Sequence, residues 1–164
     1  METLLNELKA LLADEVALHE GLKADLAFEN EQDGKLSADD FLRLQQRKYY
    51  WINQIEGIEA RRLEQVRKLA EEWEAPPRQL TLRAIIARCP APLGMEFQGY
   101  HGALTALIGE IRHLARETGA NAQARQKAVD ATLAVIGEAV KMHPTYSGAG
   151  RLQKRTPTFK QTSA

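Results

Sequence analysis

The sequence predicts an all-α protein: a long antiparallel helical hairpin, a third long helix beside it in an elongated bundle, a short corner helix and a disordered C-terminal tail. Three observations carry this. Apolar side chains recur every three or four residues through three long stretches, the period of one helix face. Aromatic residues make up only 6% of the 164-residue chain, so leucine, isoleucine, valine and alanine must fill the core, a composition that favours helices over sheets. The prolines fall between or after those stretches and never inside them.

Residues 2–32 read as the first helix. Leu5, Leu8, Leu12, Val16, His19, Leu22 and Leu26 form its stripe, and Leu4, Leu11 and Leu18 widen it. Glu2 and Glu7 lead it, as the helix dipole prefers near an N-terminus. Gln32-Asp33-Gly34-Lys35 is a short polar turn with glycine at the helix end. Ser37 then caps the second helix, with Asp40 three residues on. A turn this short between two long amphipathic helices implies an antiparallel hairpin.

The second helix is the stretch around which the rest of the chain is expected to be organised. Its stripe runs Phe41, Leu44, Lys48, Trp51, Ile55, Ile58, Arg62, Val66, Leu69 and Trp73, a rod of about 50 Å. Arg43, Gln45, Gln46, Arg47, Glu56, Glu59, Arg61, Glu64 and Lys68 lie between as a solvated face. The stripes of the two helices are expected to bury one another.

Glu74-Ala75-Pro76-Pro77 ends the second helix. Thr81 caps a corner helix over 82–88, greasy at Leu82, Ile85 and Ile86, and Cys89-Pro90-Ala91-Pro92 stops it. The third long stretch begins near Leu93 and holds Phe97, Tyr100, Leu104, Leu107, Ile108, Ile111 and Leu114. Thr118-Gly119-Ala120-Asn121 resembles a break, yet Thr118, Ala122, Arg125, Val129, Leu133, Ile136 and Val140 keep the same phase. A separate helix has no reason to keep register, so this reads as one helix with a weak, bent point at Gly119. Pro144 ends it. The expected organisation is a helical bundle domain over 1–143 and a flexible tail over 144–164. The tail carries Arg151, Lys154, Arg155 and Lys160 with no acidic residue, and keeps Tyr146, Leu152 and Phe159 as apolar anchors.

Composition narrows the function. The net charge is zero, but residues 1–74 hold 17 acidic and 10 basic side chains while residues 75–164 hold 5 and 12. The halves can attract each other as the chain folds back, or steer different partners. One cysteine, Cys89, rules out an intramolecular disulfide and any cysteine-based zinc finger, and suits a reducing, cytoplasmic location. The N-terminus lacks the segments of a secretory signal, and no run is apolar enough for membrane insertion. Glu110 and His113 form one Glu-x-x-His pair, where a di-iron bundle needs two and further glutamates. Gly94, Gly99 and Gly102 do not make a phosphate loop, and the aspartates near Asp33 do not fit a calcium loop. The basic tail is too weakly charged, and the helices too mixed, for a nucleic-acid binder. No catalytic site, metal or cofactor is expected, so the chain reads as an interaction protein and not an enzyme.

Several phrases together resemble a known family. They are Leu4-Leu5-Asn6-Glu7-Leu8 and Leu11-Leu12-Ala13-Asp14-Glu15 in the first helix, and the Leu80-Thr81-Leu82-Arg83 corner. Asn121 in the middle of the third helix and Thr145-Tyr146-Ser147-Gly148-Ala149-Gly150 just after it complete the set. Over residues 2–152 this resembles the FlgN-like flagellar export chaperones. The resemblance implies a cytoplasmic chaperone of the flagellar type III secretion system that holds hook-associated (hook–filament junction) proteins and delivers them to the export gate. It further implies client capture at Val129, Leu133, Ile136 and Val140, and docking to the export gate through Tyr146. Leu152 is grouped with Tyr146 as a tail anchor for a partner. An exposed helical groove could lay a client's amphipathic helix against that stripe. The other reading from the helical pattern is a homodimeric coiled-coil adaptor or scaffold without an export role. Such a seam would keep a strict heptad with paired flanking charges. Homo-oligomerisation is open under either.

Overall fold

A computed structural model describes residues 1–140, 145–146 and 152–153, apart from the side chains of 125, 129, 132–140 and the last four. The element order is α1 (Glu2–Glu31), α2 (Ala38–Glu72), a 3-10 turn (Pro77–Gln79), α3 (Leu82–Arg88), α4 (Ala91–Val140), β1 (Thr145–Tyr146) and β2 (Leu152–Gln153). Two compact units divide the chain, Met1–Asn121 and Ala122–Ala164. The all-α bundle read from the sequence is the observed architecture. A disordered tail was expected over 144–164; apart from β1 and β2, that stretch lies outside the described residues.

Local chemistry sets the helix ends. Ser37 Oγ accepts the Asp40 N–H at 3.1 Å and donates to the Asp40 carboxylate at 2.7 Å, which caps α2 as the spacing predicts. Thr81 Oγ1 accepts from the Ala84 N–H at 3.2 Å and starts α3 in the same way. The end of α2 differs from expectation. It is closed before the prolines by a Schellman arrangement, with Ala75 N–H on the Ala70 carbonyl at 2.9 Å and Glu74 N–H on Glu71 at 3.2 Å. Glu74 takes the left-handed position usually given to glycine, with φ 49°.

The organising helix is α1, a correction to the central place given to 41–73. Along α1, Leu5, Leu8, Leu11, Leu12, Leu22 and Leu26 are buried; along α2 only Leu44, Ile58, Leu69 and Ala70 are. Phe41, the first residue of the expected stripe, is exposed. The reason is coverage. α2 meets α1 on one side, and α4 meets it on another through Lys9–Glu96 at 3.0 Å, Lys23–Glu110, and Asn30 Nδ2 donating to the Leu114 carbonyl at 3.2 Å. A helix covered by two neighbours needs a wide apolar face, and the extra leucines of α1 supply it.

The main apolar core lies at one end of the hairpin. Leu5, Leu8 and Leu12 of α1, Leu69 and Ala70 of α2, Leu80, Ile85 of α3, and Phe97 and Leu104 of α4 form it. Phe97, Leu69 and Ile85 are wholly inaccessible to solvent. No α2 residue before Val66 joins this cluster or packs against it. In α4 the weak point expected at Gly119 is not a break. The helix is continuous there, and Thr118 Oγ1 bonds both Asn30 Oδ1 at 2.8 Å and the Leu114 carbonyl at 2.9 Å.

One close approach fixes the hairpin spacing. A Cβ at Gly21 would fall 2.9 Å from two Trp51 ring carbons. That ring is itself held, because Trp51 Nε1–H donates to Asp25 at 2.8 Å. Alanine favours a helix over glycine by about 1 kcal/mol, but the overpacking works against it by about 1–3 kcal/mol. Gly21→Ala is therefore expected to lower stability despite the better helix former, read as a lower urea midpoint with unchanged slope.

Candidate functional site

Beyond the apolar core, α1 and α2 are joined by charge. Arg47 Nε donates to Asp25 at 3.1 Å, and Trp51 Nε1 shares the same carboxylate oxygen. Lys48 and Gln45 both donate to Glu29, Gln45 at 3.0 Å. Arg62 lies 3.0 Å from Glu15 by charge alone, without a hydrogen bond at that nitrogen or that oxygen. His19 Nδ1 and the Glu15 carbonyl are hydrogen-bonded at 2.7 Å. Glu15, His19, Asp25 and Glu29 are all buried. Hydrogen bonding to Asp25, and then its charge, holds the Arg47 guanidinium further toward the charged form. A seam of this kind fixes the register of two helices while adding little net stability.

The outward surface of α2 carries several large apolar side chains among polar ones. Leu42, Tyr49, Tyr50, Ile52 and Leu63 are exposed together with Phe41. Over this stretch α2 sets Lys48 and Arg62 beside Leu44 and Ile58 against α1, and shows large apolar side chains to solvent among its charged ones. Sequence reading missed this face because Glu56 and Glu59 interleave with it. The signal was present in the spacing of Leu42, Tyr49 and Leu63, seven and then fourteen residues apart.

The sequence-derived partner residues fall in the second unit. Val129, Leu133, Ile136 and Val140 belong to α4, with their side chains outside the described residues. Tyr146 and Leu152 belong to β1 and β2, which pair antiparallel with those two residues opposite one another; their side chains too lie outside the described set. The backbone pairing thus brings together the two tail anchors. Around the first four, every described side chain from Ala122 to Ala131 is exposed, whereas Ile111, Leu114, Thr118 and Asn121 in the preceding turns are half-buried.

The remaining features resolve into surface chemistry. Glu110 pairs with Lys23, and His113 Nε2 lies 3.3 Å from Glu117, so the Glu-x-x-His pair points to separate partners. Among the described residues no group of three or more histidine, cysteine or acidic side chains could hold a metal. Cys89 is partly buried, and that burial raises its thiol pKa and so favours the neutral form. On the α2 surface, Arg67 hydrogen-bonds Glu64 and lowers its carboxyl pKa. A shallow groove of about 660 Å³ between α1 and α2 has Ala10 and Ala60 among its lining and charged residues of both signs along it. Among the described residues no helix is long and apolar enough to cross a membrane.

Comparison with known proteins agrees with this architecture. A family model described as FlgN protein matches residues 1–154, nearly the whole chain. No curated protein and no solved structure matches. The match takes in all four helices, β1 and β2, and it covers the phrases through which the sequence resembles the flagellar export chaperones. The chain belongs to the FlgN family.

Proposed function

We propose that this chain is a cytoplasmic chaperone of flagellar type III export that binds hook-associated proteins and delivers them to the export gate. Family membership supplies the general function, and one observation supports the place of capture. α4 continues from Asn121 to Val140, and its described side chains beyond Asn121 are all exposed. A helix that continues with exposed side chains offers a docking surface for a client's amphipathic segment, read at steps of three and four residues. Val129, Leu133, Ile136 and Val140 follow one another at steps of four, three and four residues. Capture by coupled folding gives modest affinity for the area buried and ready release, and it needs no nucleotide, metal or catalytic group.

The division of labour has a direct test. Full-length chain and a 1–129 version are used to capture partners from flagellated cells, read by mass spectrometry. Hook-associated proteins are expected with the full-length chain alone, while circular dichroism shows 1–129 still folded. Equal capture by both versions would move the client site out of 130–164. Tyr146→Ala is expected to leave client capture unchanged and to reduce export of the client. Loss of capture itself would assign Tyr146 to the client and not to the gate.

A further inference from the structure

α1 and α4 lie side by side in a constant register, and their contacts change character along it. Lys9 pairs with Glu96, Lys23 with Glu110, and Asn30 Nδ2 reaches Glu117 at 3.4 Å, each partner 87 residues further along the chain. The two helices therefore run parallel. Apolar cover fades in the same direction. Phe97 is wholly buried and Leu104 and Leu107 nearly so, whereas Ile111 and Leu114 are half-buried and Ile108 is exposed. On α4 the main core reaches no further than Leu104.

Beyond that point hydrogen bonds take over, and Asn30 supplies them. Its amide lies across one turn of α4. Nδ2 donates to the Leu114 carbonyl at 3.2 Å, and Oδ1 accepts from the Thr118 hydroxyl at 2.8 Å. Both ends of the amide are used, a donor and an acceptor that neither aspartate nor alanine supplies together. Thr118 has a second acceptor within reach, the Leu114 carbonyl of its own helix at 2.9 Å. When α4 moves away from α1, the one hydroxyl proton stays bonded there and the Asn30 amide turns to water. Release strands no polar group. The other tie nearby, Lys23–Glu110, is open to solvent and weak. We infer that Asn30 and Thr118 form a reversible latch, from which the Ile111–Asn121 turns of α4 open away from α1 while the Phe97 core stays closed.

The latch governs access to Ile111 and Leu114, since any partner that reaches those two side chains draws on the open form. It uses side chains of the Met1–Asn121 unit alone and stands whether or not α4 captures a client.

Pulsed electron resonance on the full-length chain reads the latch. Nitroxides are carried by Glu31→Cys and Arg116→Cys, both at exposed positions, in a Cys89→Ser background. A main short distance with a minor longer one is expected. Thr118→Val removes the hydroxyl at nearly constant volume and should raise the ratio of long to short about fivefold, the worth of one hydrogen bond. Thr118→Ser keeps the hydroxyl and should leave the ratio unchanged. A second pair beside the core, Asn6→Cys with Met95→Cys, should keep one distance in every variant. A single distance between the first pair in both the parent and Thr118→Val, an equal rise in Thr118→Ser, or a second distance beside the core would each overturn the proposal.

Discussion

Phe97→Ala is expected to destabilise the Met1–Asn121 unit by about 3–5 kcal/mol, the largest effect of any single truncation proposed for this chain. Phe97 is wholly buried among residues of α1, α2 and α3, and it is the largest of the fully buried side chains. Its removal leaves a void where the helices of the unit meet. The α3 corner is too short to collapse into such a void, because Thr81 caps one end and Pro90 follows the other. Urea unfolding followed by circular dichroism should show a large fall in midpoint, and the thermal midpoint should drop by more than about 10 °C. Met95→Ala is the control. It lies two residues away on the exposed surface and should change stability by no more than about 0.5 kcal/mol. A loss of under about 1 kcal/mol in Phe97→Ala would mean that α4 does not pack into this core.

The second large effect concerns Glu29 and Lys48, whose side chains are only 7% and 13% exposed. Glu29→Leu leaves the Lys48 ammonium in a poorly solvated place with no carboxylate, and should lower stability by about 3–5 kcal/mol. Changing both residues, Glu29→Leu with Lys48→Met, should recover most of that loss, because a well-packed apolar pair in place of a buried ion pair is often neutral or better. A double-mutant cycle read by urea unfolding separates the outcomes. Two additive single losses would show that the residues do not act as a pair. The Asp25 cluster should be gentler, since the Arg47 side chain is well exposed to water.

These two sites show what the sequence made legible and what it did not. Helix starts were readable because a cap is a local event: Ser37 with Asp40 and Thr81 with Ala84 need only three residues of context. Phe97, Leu104, Leu5 and Leu8 were readable as core because period and hydrophobicity agree. The primacy of α1 was not, since a pattern shows which face is greasy and not how many neighbours will cover it. Lys48 and Arg62 counted as aliphatic stems on a stripe, while Asp25 and Glu29 belonged to no stripe at all. Their meeting depends on the register of the hairpin, which the turn sets and the sequence does not display. The outward apolar face of α2 was hidden for the reverse reason, its leucines and tyrosine being separated by glutamates. At Val129, Leu133, Ile136 and Val140 the helix was legible, and their capture role rests on the proposal.

The separation of an apolar end from an ionic end gives this hairpin a thermal polarity. Burial of hydrocarbon weakens on cooling, because its driving force near room temperature is entropic. The hydration that opposes buried ion pairs weakens instead on warming. The Phe97 end is thus the part that cold loosens first, and the Glu29 end is the part that gains, in relative terms, as temperature rises. Hydrogen exchange followed at several temperatures should find the least protected stretch of α1 moving along the helix, from its Leu5–Leu12 turns in the cold toward its Asp25–Glu29 turns nearer ambient temperature.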